Sequence, residues 1–263
     1  NALLGYSHVS PGRDAWIREY FTPQRIAGVF SKCLELGVNA VMGPLHPRLM
    51  EALEETEKRT GVRMTWVAST EYGAVPCGCE KDLERAQSAG DREAEMALYR
   101  NSTAEQAAKL KAAGAPICFF HGGWVDSWPI ANGVLQGYDV QTRAIRQAGL
   151  IRGAACHYSA RLAELEAGPH DNALIVTPIN KGGWLMHPSR EEALKVIGKI
   201  QRPVLAIKTL ACGRYDHEHA VPEWLQWAVD IPNVQAIVLG LMVEQEAEQS
   251  IPFLRERLAA KFG

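Results

Sequence analysis

The sequence predicts a (β/α)8 TIM barrel, folded as a single domain over residues 1–263. Three observations lead there. Eight short apolar runs recur along the chain. Amphipathic segments fill the gaps between them, and 263 residues is an ordinary size for one such barrel. The runs are mostly continuous rather than alternating, as parallel strands covered on both faces require.

In chain order the expected strands are 2–8, 39–43, 63–69, 115–121, 151–157, 173–180, 203–210 and 234–241. The first helix, 24–36, ends at Gly37, and the next, 49–60, at Gly61; glycine takes the left-handed C-cap most easily. Ser102-Thr103-Ala104-Glu105 and Ser189-Arg190-Glu191-Glu192 read as capping boxes that open later helices. Segments 223–229 and 244–260 complete the series. Two connections exceed what a minimal barrel needs, 70–90 after the third strand and 122–137 after the fourth. Long loops on this side of a barrel usually build or cover the active site. An open doubly wound sheet would use the same alternation. No G-x-G-x-x-G follows the first run, however, and no P-loop occurs.

Composition narrows the partners. Hydrophobic residues make up 47% and charged residues 22%, with a net charge of −2 spread along the chain. No basic block points to nucleic acid, and no apolar run reaches the length a membrane helix needs. The expected partner is a small-molecule substrate, with no nucleic acid and no membrane; the oligomeric state is left open. The chain opens on Asn1 rather than methionine, so an upstream segment is expected to be missing or removed. Cys118 and Cys156 sit in apolar runs as small buried hydrophobes, which favours a reducing, cytoplasmic location over a disulfide framework. Cys77-Gly78-Cys79 reads as a pair of solvent-facing thiols, or as a metal or redox pair.

The functional signal is positional. His8, His121 and His157 end the first, fourth and fifth strands, His46 follows the second and Glu71 the third. Asn180 ends the sixth, and Lys208 lies near the end of the seventh. Barrel enzymes draw their chemistry from these strand ends. Imidazoles on neighbouring strands are suited to sharing a divalent ion (Zn, Mn, Ni or Fe), so the expected metal ligands are His121, His157, Glu71 and His46. The expected catalytic groups are His8, His121, Lys208 and Asn180. Lys208 reads as a Schiff-base or electrostatic lysine, or as one end of a salt bridge to Glu71 or Asp216. Trp124 and Trp128 flank Asp126 as a lid, a sugar-stacking platform or simple packing.

From about Ala115 to Phe253 the chain resembles the aldo/keto reductases, in the branch related to aryl-alcohol dehydrogenases. Ile117-Cys118-Phe119-Phe120-His121 is similar to the family's fourth strand with its active-site histidine. Gly149-Leu150-Ile151-Arg152-Gly153, leading to His157, resembles the fifth. Pro203 to Arg214 resembles the strand that carries the family's K-P-L-x-x-G-R variant. Val238-Leu239-Gly240-Leu241 with Glu244 to Gln249 resembles the last strand and helix.

The resemblance implies a barrel, nicotinamide-dependent carbonyl reduction and a catalytic Asp, Tyr, Lys and His. Only His121 of that set is present: Met42 stands near the aspartate's place, and Ala68-Ser69-Thr70-Glu71 brings no lysine. No basic residue directly follows Gly240 to meet a 2′-phosphate, although Glu248-Gln249 occupies the place of the family's adenine-contacting pair.

The expected function is therefore a barrel enzyme of aldo/keto reductase descent acting on a small carbonyl- or hydroxyl-bearing substrate by metal-assisted lyase, isomerase or hydrolase chemistry. The alternatives are an NAD(P)-dependent oxidoreductase and a catalytically silent ligand-binding barrel.

Overall fold

The computed structural model describes residues 2–215 and 220–263. One curled parallel sheet runs in the order β1 (Ala40–Pro44), β2 (Thr65–Ser69), β3 (Ile117–Phe120), β6 (Ile151–Ala155), β7 (Leu174–Pro178), β8 (Val204–Ile207) and β9 (Val234–Ile237). Within the connection after β3, β4 (Ile130–Ala131) and β5 (Val134–Leu135) form a small antiparallel hairpin. Pairing of Pro44 with Ser69, Ser69 with Phe119, Phe120 with Ala154 and Pro178 with Ile207 brings the C-terminal strand ends to one rim. Around the sheet lie α2 (Pro23–Glu35), α3 (Pro47–Thr60), α4 (Glu80–Ala89), α5 (Arg92–Ala112), α6 (Gly122–Ser127), α7 (Tyr138–Gln147), α8 (Ser159–Ala167), α9 (Arg190–Ile197), α10 (Ala220–Asp230) and α11 (Glu244–Phe262). The parallel strands follow one another around the sheet in chain order with helices between them, the arrangement of an α/β barrel and not of a doubly wound sheet, whose order reverses at a switch point.

The sequence expectation needs one correction here. Residues 2–8 form no strand, so the sheet has seven members instead of eight. They begin with a 3-10 turn, Ala2–Leu4, and lead into α1 (Pro11–Tyr20). Gly5 turns the chain with φ +89 and His8 with φ +58, both incompatible with an extended run. Ser10 then caps α1 by accepting from Arg13 N at 3.2 Å, and Asp14 accepts from Ser7 N at 2.7 Å, pinning the turn. Leu4, 3% exposed, still gives the core an apolar side chain.

Strands β9 and β1 are consequently not hydrogen-bonded to each other. Helices close that side instead: Val29 and Cys33 of α2 pack on Ala247 and Ile251 of α11. Arg255 Nη1 adds a 2.8 Å bond to Leu36 O across the same seam.

Most helices begin and end where the sequence indicates. Gly61 caps α3 with φ +70, and Ser189 caps α9 by accepting from Glu192 N at 3.2 Å. The box at 102–105 is a second correction. Asp91 caps α5 eleven positions earlier, accepting from Ala94 N at 3.0 Å, which leaves Ser102 in the helix interior. There Ser102 Oγ accepts from Gln106 Nε2 at 2.9 Å, and Gln106 Oε1 accepts from Glu71 N at 2.8 Å. The misread hydroxyl thus anchors the loop after β2. No helix among the described residues is long and apolar enough to cross a membrane.

Candidate active site

The two long connections meet at the rim. In the connection after β3, His121 caps α6 with its ring, Nδ1 accepting from Gly123 N at 3.0 Å, and His121 N donates to Thr70 Oγ1 at 3.1 Å. Two glycines let this short helix sit close to its neighbours. A Cβ on Gly122 would lie 2.9 Å from His157 Cε1, and one on Gly123 2.8 Å from the Tyr72 ring. Trp124 and Trp128 are buried, with their rings among those of Phe120, Tyr138 and Tyr99. They are packing residues, and they hold α6 so that Asp126 faces the next strand.

Asp126 grips His157 twice. Oδ1 accepts from the His157 backbone N–H at 2.9 Å, and Oδ2 lies 2.6 Å from Nδ1. A carboxylate only accepts, so Nδ1 carries the hydrogen and Nε2 is left as an acceptor. Lys208 Nζ donates to that Nε2 at 3.2 Å. The outcome is a chain of carboxylate, imidazole and amine drawn from α6, the end of β6 and the end of β8.

Electrostatics tune the amine. Burial lowers the Lys208 pKa from its ordinary value, and the nearby acids Cys212 and Asp126 oppose the shift only in part. His121 is pushed down to about 4, chiefly by burial and further by the positive charge that His157 and Lys208 can carry. His8 is also lowered, first by burial and then by Lys208. His121 is therefore neutral near pH 7, and with Nδ1 accepting it presents Nε2–H as a donor. Tyr72, 57% exposed, stacks on this ring at 5.9 Å between centroids.

Backbone strain gathers on the same rim. His8, Leu185, Lys208, Ala211 and Cys212 all have φ between +45 and +58 without being glycine. Such conformations cost on the order of 1–3 kcal/mol each and concentrate where function demands them.

The metal expectation finds no support in these partners. Among the described residues no group of three or more His, Cys, Asp or Glu is placed to hold an ion. His121 spends Nδ1 on its cap, while His157 has both nitrogens committed to Asp126 and Lys208. The Lys208 ammonium also occupies the electrostatic place of a cation and would repel one. His46 and Glu71 form a separate neighbourhood: His46 caps α3 through Nδ1, accepting from Arg48 N at 3.2 Å, and the Glu71 side chain is exposed. The rim brings together His8, His121, His157 and Lys208. Asn180 lies fully buried beside it, both ends of its amide bonded to the Trp184 backbone, so it fixes the turn after β7. Lys208 faces His157 rather than Glu71, and Asp216 lies outside the described residues. In the C-x-C segment Cys77 is exposed and Cys79 half-buried.

Asp126 was not among the expected site residues. Its sequence signals are its place between Trp124 and Trp128 and within a long connection after a strand that ends in histidine.

The start of α11, where the sequence resemblance would put the adenosine end of a nicotinamide coenzyme, is an acidic surface. Glu244 and Glu246 open the helix, with no basic residue in the first turn. Lys32, against the next turn, is held between Glu35 at 2.7 Å and Glu248 at 3.3 Å. A 2′-phosphate does not fit that charge. Free ribose hydroxyls would fit it, since carboxylates accept from them.

No protein-family model and no curated protein matches the chain. Solved structures share its fold. A protein from Pseudomonas aeruginosa, assigned provisionally as an aldo-keto reductase, superposes with a TM-score of 0.56 at 13% identity, covering 90% of this chain and 84% of that one. MGS-M4, an aldo-keto reductase from a Medee basin deep-sea metagenome library, gives a TM-score of 0.51 at 10% identity, covering 90% and 85%. The chain therefore has an aldo/keto reductase-like barrel fold.

Proposed function

We propose that this barrel is an NAD(H)-linked oxidoreductase that interconverts a carbonyl and a hydroxyl on a small polar substrate, with Lys208 as the proton donor and acceptor. The observation that carries the reading is the chain from Asp126 through His157 to Lys208 at the C-terminal rim. Carbonyl reduction needs a group that protonates the developing alkoxide, and such a group typically contributes on the order of 10²–10⁴ in rate. An amine whose pKa burial lowers gives up that proton more readily than a free lysine and, in reverse, can take it from an alcohol. His157 Nε2 accepts from the amine and Asp126 holds the imidazole in the required tautomer. His121 Nε2–H supplies a neutral donor to the substrate oxygen. Glu244 and Glu248 would hold the coenzyme's adenosine end, and NAD(H), when bound, supplies or takes up the hydride.

This reading replaces the metal-assisted lyase, isomerase or hydrolase chemistry expected from the sequence. A ligand-binding barrel without catalysis would have no use for a buried amine, a neutral histidine and five strained rim residues in one place. Unpaired cysteines, three of them buried, support a reducing compartment such as the cytoplasm.

The test is a fluorescence titration with NADH and NADPH, followed by turnover of an aldehyde panel. NADH is expected to bind more tightly, and Lys208→Met to lower kcat by roughly 10²–10⁴. Absence of coenzyme binding, or a Lys208→Met enzyme as fast as wild type, overturns the proposal. Tyr72 earns a second reading as the donor because it stacks on His121. Loss of turnover in Tyr72→Phe with retention in Lys208→Met would move the proton there.

A further inference from the structure

A cavity of about 530 Å³ lies at the N-terminal ends of β6 and β7, away from the catalytic rim, with Arg143, Arg146, Arg152, Asp139 and Asp171 in its wall. Three guanidinium groups against two carboxylates leave an excess of positive charge. Asp139 serves Arg152 Nη1 at 3.1 Å and His170 Nδ1 at 2.8 Å, and Asp171 pairs with Arg146 at 2.6 Å. Among the described residues Arg143 makes no ion pair.

Arg152 is the unusual member. It sits in the second position of β6 and is 4% exposed. Nε donates to Asp171 O at 2.9 Å and Nη1 to Thr142 Oγ1 at 2.8 Å, while buried Nη2 has no partner. Nearby, the buried Nε2 of His170 is unpartnered too. Buried polar groups are nearly always satisfied, so an unmet N–H group on a charged side chain that lines the cavity points to a missing acceptor.

We propose that this cavity binds a phosphoryl group, held by Arg143, Arg146 and Arg152. Arginine forks match phosphate oxygens bidentately, and three of them suit an anion with several oxygens and more than one charge. The Arg146–Asp171 pair is more than half exposed on both sides, so it is weak and Asp171 can swing aside for the stronger acceptor. This site is independent of the redox reading, being at the other end of the barrel.

The test is isothermal calorimetry with inorganic phosphate against chloride at matched ionic strength, with thermal unfolding in parallel. Wild type is expected to bind one phosphate saturably and to unfold at a higher temperature when it does. Arg143→Gln changes an exposed side chain outside the buried network and should fold normally, with phosphate affinity lowered roughly tenfold or more. Arg152→Gln is expected to destabilise the sheet, so the decision rests on Arg143→Gln. Competition by glycerol phosphate identifies a phosphate ester as the natural source, and its absence identifies the free ion. Phosphate no more effective than chloride, or equal affinity in Arg143→Gln, overturns the proposal.

Discussion

Replacing Asp126 separates the two duties of its carboxylate. Asp126→Ala leaves the His157 backbone N–H and Nδ1–H without acceptors. Each buried unsatisfied donor costs about 1–3 kcal/mol. The two side chains are 15% and 19% exposed, so water recovers part of this and the low end applies, about 2–3 kcal/mol in all. For a chain of this size 1 kcal/mol moves Tm by about 2–4 °C, giving a fall of about 4–12 °C. Asp126→Asn behaves differently. Its carbonyl oxygen still accepts from the His157 backbone, so the fold loses little. Its NH2 group now faces Nδ1 and forces the hydrogen to Nε2, where it meets the Lys208 ammonium donor to donor. The proton chain breaks while the architecture stands, as in other sites where an amide traps the wrong tautomer. Calorimetric unfolding of both variants and carbon-13 shifts of labelled His157 report the two effects separately. An Asp126→Ala protein as stable as wild type, or an Asp126→Asn protein whose His157 keeps Nδ1–H, would refute the reasoning.

Three further outcomes are expected. Gly122→Ala should push its new methyl into the His157 ring, 2.9 Å away, costing about 1–3 kcal/mol and disturbing the His157–Lys208 contact; an unchanged Tm and an unshifted His157 resonance would count against this packing. His121, held at about 4 against an ordinary 6.5, binds fewer protons folded than unfolded between those values. Its contribution is full above pH 6.5 and declines by up to about 3 kcal/mol as pH falls to 4. His121→Asn keeps a cap and removes the titration, so its stability should fall less steeply over that window; equal slopes would show that the ring is not held neutral. Finally, one equivalent of zinc, manganese or nickel should move Tm by no more than about 1 °C, and a larger rise abolished by His157→Ala would restore a metal centre at the rim.

Much of the fold was legible because the signals were local. Seven of the apolar runs became strands where their composition placed them, and Gly37, Gly61 and Ser189 mark helix ends at or within a residue of their places. The first run misled because apolar content does not record φ: Gly5 and His8 turn the chain, and that is decided by Asp14 and Ser10 further on. The capping box at Ser102 had the right letters, but the helix had already begun at Asp91. At the rim, strand-end counting located His121, His157 and Lys208. It could not reveal that Asp126 would be the partner of His157, since 31 residues separate them and only the packing of Trp124 and Trp128 brings them together. The metal expectation finds no support for a related reason: residue types give ligand candidates, whereas lone pairs are committed by neighbours that appear only in three dimensions.

The seam between β9 and β1 sets the mechanical character of the ring. Hydrogen-bonded ladders dictate register, so six of the joints around the sheet are indexed residue by residue. The seventh is a slip joint: the contacts of α2 with α11 dictate proximity without dictating register. The circumference can therefore adjust there while the β3, β6 and β8 strand ends, all inside the indexed arc, keep Asp126, His157 and Lys208 aligned. Amide exchange along β1 and β9 should outpace that of β3 and β6, marking the ring as hinged at one edge and rigid where the proton chain is mounted.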